Sequence, residues 1–376
     1  MSMHHSNHQQ RGVSLVELMI AMLLGLFLMI GVIQVFVSSK STYTAQESLS
    51  RLQESGRHVA ALLTRDIRMA GYTGCGGQAS NFNNRLDLDE DSSEEFIHNF
   101  TTGIFGSEAS GTGPGDDLDL GAGDPDTGWS PALPDGVGDA DIQPLPGSDV
   151  FMVRGPTSAE ISAFTASGNP IGQAAQFQIS GDHSLQPGDI VIVSDCTNTA
   201  MLQITNNVDQ SDSIANAAGC GQYDPCNLNP ATWEEEDFIS GDATVARIEA
   251  SVFFVALDDQ GTPALYRQVL SGNDPPGPQA IAEGVENMQI LYGMRDGEDI
   301  SVAEYLTAAE VDSDDRWDDV IAVEMALLVR DEQRVPGGIA NRPRTFTLAN
   351  YELTVGPDGL PRQIFRTRVT LRNRAL

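Results

Sequence analysis

The stretch RGVSLVELMIAMLLGLFLMIGVIQVFV, residues 11–37, decides the fold because it joins a short polar leader to a long apolar run. The leader ends at Gly12, and the apolar run extends from Leu18 to Val37. A helix of about 20 such residues rises about 30 Å, which is enough to cross a bilayer. The stretch therefore predicts a membrane-spanning helix near the N-terminus.

One acidic residue, Glu17, stands at the start of this apolar run. A charge inside a membrane-spanning segment costs roughly 2.5–3.5 kcal/mol on insertion scales, so its presence needs a reason. A cleaved secretory signal has a shorter core of about 7–15 residues followed by a small-residue site, whereas Ser38, Ser39 and Lys40 follow this longer core. A plain membrane anchor explains neither Gly12 before the core nor Glu17 within it.

The arrangement of glycine, acid and apolar core resembles the N-terminal signal of type IV prepilins. In that family a prepilin peptidase cuts after the glycine, the new N-terminus is methylated, and the acid is the fifth residue of the mature chain. The resemblance implies a leader at 1–12, cleavage between Gly12 and Val13, and N-methylation at Val13. It also implies that Glu17 pairs with the N-terminal amine of a neighbouring subunit, since a buried carboxylate needs a partner.

The half of the predicted helix at residues 13–37 is apolar on every side. It has no soluble partner in this chain, so it must lie in lipid or against copies of similar helices. Gly25 and Gly31 would let neighbouring helices approach closely.

Helical spacing continues through residues 38–74. Apolar residues recur every three or four positions, which predicts one stripe on a helix that packs on its own domain. The stripe comprises Ala45, Leu49, Leu52, Gly56, Val59, Leu63, Ile67 and Ala70. No proline occurs from Val13 to Ala70, and Gly71 is a natural stop signal, so a single helix is predicted.

The chain is strongly acidic. Its 376 residues carry a net charge of −32, which argues against nucleic acid as a partner because phosphate binding needs clustered Lys and Arg. Sixteen acidic residues and one arginine lie between Arg85 and Asp149, whereas nine arginines and four acidic residues lie between Arg330 and Leu376. The basic C-terminal segment could face either the chain's own acidic loops or an acidic partner subunit.

Two regions of different composition follow the predicted helix. Residues 75–149 are rich in Gly, Pro and Asp, which predicts a long, acidic, exposed loop insertion. Residues 150–376 contain short β-branched segments separated by turns, which predicts a β-rich globular domain. Within that domain the segment SVAEYLTAAEV, residues 301–311, is predicted to be helical. The whole pattern predicts an α+β fold, type IV pilin-like, whose long N-terminal membrane-spanning helix packs on a C-terminal antiparallel β-sheet domain.

The four cysteines are Cys75, Cys196, Cys220 and Cys226. An even number in an exported domain suggests disulfides, and four cysteines allow three connectivities. Cys220 and Cys226 are near enough in sequence to close a local loop, which would leave Cys75 to join Cys196. The other connectivities and free buried thiols stay open.

Signals for catalysis, cofactors and metals are weak. We find no zinc-protease, nucleophile-elbow or phosphate-loop motif, so we expect neither an enzyme nor a cofactor. Asp124 and Asp126 in a Gly-rich stretch are weak calcium candidates, because oxygen ligands suit a hard cation. Solvated acidic loops are the commoner explanation, and no metal is expected.

Later segments narrow the resemblance to PilW-type minor pilins. The segments that carry it are RLQESGRHVAALLTRDIRMAGYTGC at 51–75, DIVIVSDCTNTAMLQIT at 189–205, VENMQILYG at 285–293, RWDDVIAVEMALLVR at 316–330 and RQIFRTRVTLRNR at 362–374. The chain departs from the family at Val13, where phenylalanine is usual.

The resemblance implies a non-enzymatic subunit in the inner membrane, with its N-terminus inside and its domain in the periplasm, that later joins a pilus on the cell surface. Its partners would be prepilin peptidase, the inner membrane, other minor pilins and the major pilin through the N-terminal helix, and a tip adhesin. It would prime pilus assembly and sit at the tip. The alternatives are a minor pseudopilin of type II secretion, a membrane-anchored periplasmic enzyme or binding protein, and an adhesin whose acidic loops form the contact surface.

Overall fold

The structure is a computed structural model that describes most of the chain. The described residues are 14–74, 81–88, 96–100, 102–113, 117–119, 128–158, 160–165, 168–173, 176–208, 211–215, 219, 223–229, 234, 238–239, 242–271, 276–297, 299–335, 342–349 and 351–374.

A single helix, α1 (Leu15–Met69), dominates the N-terminal part. It is 55 residues long, which corresponds to about 82 Å at the usual rise per residue. The helix ends where predicted, because Gly71 adopts a left-handed conformation with φ of 67°.

Within the described residues, twenty-one strands, one short α-helix and one 3-10 helix (Trp317–Asp319) follow. The first strands are β1 (Asn81–Asn84), β2 (Leu86–Asp87), β3 (Ile104–Ala109), β4 (Asp117–Asp119), β5 (Trp129–Ser130), β6 (Val150–Pro156), β7 (Ile161–Phe164), β8 (Gln176–Ser180), β9 (Ile190–Ser194), β10 (Asn198–Gln203), β11 (Ser213–Ala215) and β12 (Cys226–Asn227). The later elements are β13 (Asp242–Leu257), β14 (Pro263–Val269), β15 (Gln279–Glu283), β16 (Val285–Asp296), β17 (Asp299–Leu306), α2 (Ala308–Ser313), β18 (Val320–Arg330), β19 (Arg344–Leu348), β20 (Tyr351–Val355) and β21 (Arg362–Thr370).

The largest sheet has twelve strands and is organised around β13. The first half of β13 pairs with β7 and β9, and its second half pairs with β6 and β14, all antiparallel. Each half contributes to a different hydrophobic core. Val245 belongs to a cluster formed with β7 to β11, whereas Phe253 belongs to the main cluster beneath α1.

A four-stranded antiparallel sheet, ordered β17-β16-β18-β21, carries the second half of α1. Met325 and Leu327 of β18 belong to the same core cluster as Leu63 of α1. The alternate residues Ala326 and Leu328 point to the other face, where they pack against β19 and β20. This sheet therefore lies between the helix and a smaller three-stranded sheet, ordered β19-β20-β4.

The predicted stripe on α1 is confirmed from Leu52 to Ala70, because Leu52, Gly56, Val59, Leu63, Ile67 and Ala70 are buried. It is wrong at Ala45 and Leu49, both of which are exposed. Ser48 takes the buried position instead, one turn before Leu52. The 3.6-residue period allows either continuation, and only the position of the sheet selects between them.

The prediction that residues 75–149 form an exposed loop insertion is wrong for part of this segment. The residues of β3 are nearly all buried, and β3 pairs with β6 inside the large sheet. The prediction of an antiparallel sheet domain is also incomplete. Strand β1 pairs with β10 in parallel, and β20 pairs with β4 in parallel.

The helix predicted at 301–311 is mostly a strand. Residues up to Leu306 belong to β17, which pairs with β16. The helix begins only at Ala308, because Thr307 caps it: the Thr307 hydroxyl accepts from the Glu310 backbone N–H, and the Glu310 carboxylate accepts from the Thr307 N–H. Backbone hydrogen bonding to β16 therefore overrides the helical spacing of the first half.

The end of α1 is held by direct backbone contacts. Gly71 N donates a hydrogen bond of 2.9 Å to Arg154 O, and Arg154 N donates one of 2.9 Å to Gly103 O. A Cβ atom on Gly103 would lie 2.3 Å from Gly71 N and 2.9 Å from Ala70 C. Only glycine at position 103 allows the two backbones to approach this closely.

We predict that Gly103→Ala lowers the free energy of unfolding by about 2 kcal/mol, since the added methyl group must push backbone atoms apart. The matched control is Gly128→Ala, because a Cβ at Gly128 meets no atom within 4 Å. Chemical denaturation of the full chain in detergent measures both. Equal losses in the two variants would contradict the contact.

Candidate functional site: the N-terminal helix

The first half of α1 presents apolar side chains to its surroundings in every direction. Its large apolar residues are each at least 45% exposed: Leu15, Val16, Leu18, Met19, Ile20, Met22, Leu23, Leu24, Leu26, Phe27, Leu28, Met29, Ile30, Val32, Ile33, Val35, Phe36 and Val37. Within the described part of the chain, α1 is the one helix long and apolar enough to cross a membrane. This exposure would be unfavourable in water, so this half needs lipid or other helices around it.

Glu17 lies in the first turn of α1 and is exposed. The first turn places its carboxylate near the positive end of the helix dipole, which favours a negative charge there. The two predicted cleavage residues, Gly12 and Val13, lie outside the described residues, so their relation to Glu17 stays a prediction.

Gly25 and Gly31 lie in the middle of the exposed half of α1. A Cβ atom on either would meet no other atom within 4 Å. The fold of this chain therefore does not require glycine at these positions. The open surface at each is consistent with close packing against a helix of another molecule.

The second half of α1 is anchored to the domain by packing and by charge. Arg51 donates hydrogen bonds to Asp331 (2.9 Å) and to Gln333 (2.8 Å), just after β18. Gly56 lies directly against the Phe365 ring of β21, where a Cβ would come within 2.3 Å of the ring carbons. The half that binds the domain is thus distinct from the half that is exposed.

Two of the four predicted disulfide residues lie in the described part of the chain. Cys196 and Cys226 are both disulfide-bonded. Cys75 and Cys220 lie outside the described residues, and the predicted pairing stays a prediction. The Thr199 hydroxyl donates a 2.6 Å hydrogen bond to Thr73 O, which brings the chain just after α1 next to the β9–β10 turn that contains Cys196.

The weak calcium candidates Asp124 and Asp126 also lie outside the described residues. Among the residues that are described, no group of three or more His, Cys, Asp or Glu side chains has an arrangement able to hold a metal ion.

A buried arginine that the sequence analysis missed secures the end of α1. Arg154 is 1% exposed, and its guanidinium donates to Phe96 O (2.6 Å), Thr102 O (2.7 Å) and Ile97 O (3.2 Å). Burial, with a smaller effect of the nearby Arg374 charge, lowers the pKa of Arg154 to about 9. The signal in the sequence is a charge inside the otherwise apolar segment VFMVRG, because a charge in a buried strand needs hydrogen-bond partners.

A buried carboxylate links two sheets nearby. Asp149 accepts hydrogen bonds from Ala109 N of β3 (3.0 Å) and from Ile290 N of β16 (2.8 Å). Burial raises the pKa of Asp149 to about 8, although the two backbone donors oppose this shift. Asp149 therefore joins the twelve-stranded sheet to the four-stranded sheet, and a sequence pattern cannot reveal that connection.

Comparisons with known families agree with the geometry. Residues 7–33 match the model of the prokaryotic N-terminal methylation motif, and residues 252–373 match the model of type IV pilus-assembly protein W. The two matches support a PilW-type minor pilin. Comparisons with curated proteins and with solved structures gave no match.

The two matches cover different parts of the chain. The methylation motif covers residues 7–12 of the predicted leader and much of the exposed half of α1. The PilW match extends from within β13 to just beyond β21 and includes the four-stranded sheet that carries the other half. Pilins of this kind are structural, membrane-anchored proteins that interact with other pilus components. The segments at 51–75 and 189–205 lie outside the PilW match.

Proposed function

We propose that this chain is a non-enzymatic minor pilin that primes type IV pilus assembly together with other minor pilins and sits at the pilus tip. Prepilin peptidase removes residues 1–12, and Val13 becomes the methylated N-terminus. The helix holds the protein in the inner membrane with its domain in the periplasm, until the helix moves into the core of the filament beside the helices of other pilins.

The observation that carries this proposal is the division of α1 into two halves. From Leu52 onward one stripe of the helix is buried against the domain, whereas the apolar side chains from Leu15 to Val37 are exposed on all sides. A helix that only anchors a domain needs no further partner than lipid. A pilin helix needs an apolar surface that lipid covers in the membrane and that neighbouring helices cover in the filament. The exposed half of α1 provides such a surface.

Glu17 supplies the chemistry that distinguishes a pilin from a plain anchor. In the proposed assembly its carboxylate pairs with the Val13 amine of a neighbouring subunit, which cleavage after Gly12 creates. A charge pair surrounded by apolar helices is stable only when both partners are in place. The pair therefore favours one register between neighbouring helices.

The size of the domain supports the proposed tip position. A filament shaft packs globular domains at close, regular spacing. Residues 75–376 form a domain of about 300 residues with three sheets of three or more strands each, well above the usual domain size of roughly 100–150 residues. The end of a filament has no further subunit above it, so a large domain fits there without crowding.

Mass spectrometry of two fractions, sheared filaments and washed membranes, tests the proposal. We expect a methylated peptide that begins at Val13 in the filaments, at a small fraction of the main subunit. A cleaved form confined to membranes would favour a secretion pseudopilin. Retention of residues 1–12 in both fractions would contradict the proposed processing.

We predict that Glu17→Ala lowers the amount of this chain in sheared filaments at least tenfold, while its amount in membranes stays within twofold of wild type. The loss follows because the N-terminal amine of the neighbouring subunit would be buried without a partner. The matched control is Glu54→Ala, an exposed acid on the second half of the same helix. Quantitative immunoblots of both fractions measure the effect, and equal incorporation of the two variants would argue against the pairing.

A further inference from the structure

An open apolar pocket lies on the domain, and α1 contributes no residue to its lining. Its volume is about 410 Å³, and its apolar lining comes from Trp129, Leu133, Pro144, Leu145, Pro146 and Leu257. Leu257, at the end of β13, is 41% exposed, which is unusual for a large apolar residue outside the first half of α1. The lining from residues 129–146 lies outside both family matches, whereas Leu257 lies within the PilW match.

The pocket walls are fixed by hydrogen bonds and packing. Trp129 Nε1 donates to Ser148 O (2.9 Å), and Leu145 N donates to Val255 O (2.8 Å). Trp129, Leu133 and Leu145 also pack against the main hydrophobic core. A preformed apolar pocket loses little conformational entropy when a partner side chain enters it.

The rim of the pocket is acidic. Asp141 lines it, and Asp258 and Asp259 directly follow Leu257. Burial, followed by the charges of Asp258, Asp259 and Asp139, raises the pKa of Tyr266, so these three carboxylates lie in the neighbourhood of Tyr266. None of the ion pairs among the described residues involves any of the four aspartates Asp139, Asp141, Asp258 and Asp259.

We propose that this pocket binds a segment of another protein in which one aromatic or large aliphatic side chain is flanked by Lys or Arg. The apolar side chain enters between Trp129 and Leu257, and the flanking cations face Asp141 and Asp258. Anchoring by one buried large side chain, with charged residues around it, is the common arrangement of binding hot spots.

The charges of the chain itself favour a separate protein as the partner. The sequence that precedes Trp129, residues 114–127, is acidic and offers no counter-charge to this rim. Among the basic C-terminal residues, Arg362, Arg368 and Arg374 already form ion pairs with acids of the same chain. This inference does not depend on the proposed function, because neither cleavage nor the first half of α1 enters it.

The test uses the full chain in detergent and a fluorescein-labelled peptide with one central tryptophan and two arginines on each side, in a Gly/Ser background. Fluorescence anisotropy gives the dissociation constant. We expect the tryptophan peptide to bind at least tenfold more tightly than the same peptide with serine in the centre. Replacing its arginines by glutamates is expected to abolish binding.

Matched variants locate the binding. Leu257→Ser is expected to weaken binding about tenfold, and Asp141→Asn about threefold. Their controls, Leu49→Ser and Asp182→Asn, change residues of the same types that are exposed elsewhere, and should stay within twofold of wild type. Equal binding of the tryptophan and serine peptides, or equal effects of pocket and control variants, would overturn the proposal. Self-association that is lost in Leu257→Ser would also overturn it, since the occupant would then be a second copy of this chain.

Discussion

Replacing Arg154 with methionine is expected to lower the free energy of unfolding by about 4 kcal/mol. The substitution leaves three part-buried carbonyl oxygens, those of Phe96, Ile97 and Thr102, without their donor. Each unsatisfied buried group costs about 1–3 kcal/mol. The loss concentrates where residues 96–102, β6 and the end of α1 meet, so the helix should also become less firmly attached to the domain.

One effect acts in the opposite direction. Burial of the Arg154 charge is unfavourable, as its lowered pKa of about 9 indicates, and methionine removes this penalty. The carbonyl groups keep their part-buried positions in the variant, however, because Arg154 N and O still hold Gly103 and Gly71 in place. The unsatisfied carbonyls therefore outweigh the relief of the buried charge.

The matched control is Arg368→Met. Arg368 is a strand arginine with a 68% exposed side chain and one ion pair, to Glu324. The guanidinium of this pair is exposed, although Glu324 is largely buried. A loss of about 1 kcal/mol is therefore expected, at the upper end of the range for surface pairs. Urea denaturation of both full-length variants in detergent, followed by circular dichroism, measures the difference. Similar losses at the two positions would show that the three carbonyl contacts do not stabilise the fold.

The second prediction concerns pH. Asp149 has a pKa raised from 3.8 to about 8 by burial, so the folded protein holds a proton that the unfolded chain releases above about pH 4. Its contribution to stability is fully present below the unfolded pKa and is lost as pH rises through the folded pKa. The linkage slope approaches about 1.4 kcal/mol per pH unit. We expect the wild-type chain to lose about 2 kcal/mol of stability through this group between pH 6 and pH 8.

The variant Asp149→Asn removes this titration. All other groups are common to the two proteins, so the difference between the two stability curves isolates Asp149. The control is Asp358→Asn. Burial alone would raise the pKa of Asp358, but the hydrogen bonds and charge of Arg362 together with the Leu360 N–H outweigh burial and hold this pKa below its usual value. Asp358 is therefore ionised throughout pH 6–8, and its variant should keep the wild-type slope. An unchanged slope in Asp149→Asn would contradict the prediction.

Features that depend on local sequence were predictable. The helix required only apolar spacing, the absence of proline and the stop at Gly71, and its observed bounds, Leu15–Met69, differ from the prediction by one or two residues. Glu17 was found because a charge in an apolar run is conspicuous. The predicted buried face is wrong only at Ala45 and Leu49, where the position of the sheet decides which side of the helix is covered.

Features that depend on distant partners were not predictable. The residues of β3, IFGSEA, look like part of a polar loop, and they become a core strand because Ile104 pairs with Val153, far along the chain. Arg154 and Asp149 acquire their roles from backbone groups of segments separated in sequence. The apolar pocket likewise combines residues 129–146 with Leu257 at the end of another strand.

The uninterrupted length of α1 has a mechanical consequence. The helix passes from its exposed half to its domain-bound half without a break, so no hinge separates the two. Each residue advances a helix by about 1.5 Å and turns it by about 100°. The direction in which the large domain projects from the helix axis is therefore set by the number of residues between Glu17 and Leu52. A single residue inserted between them would turn the domain by more than a quarter of a revolution relative to the lipid or helices around the first half.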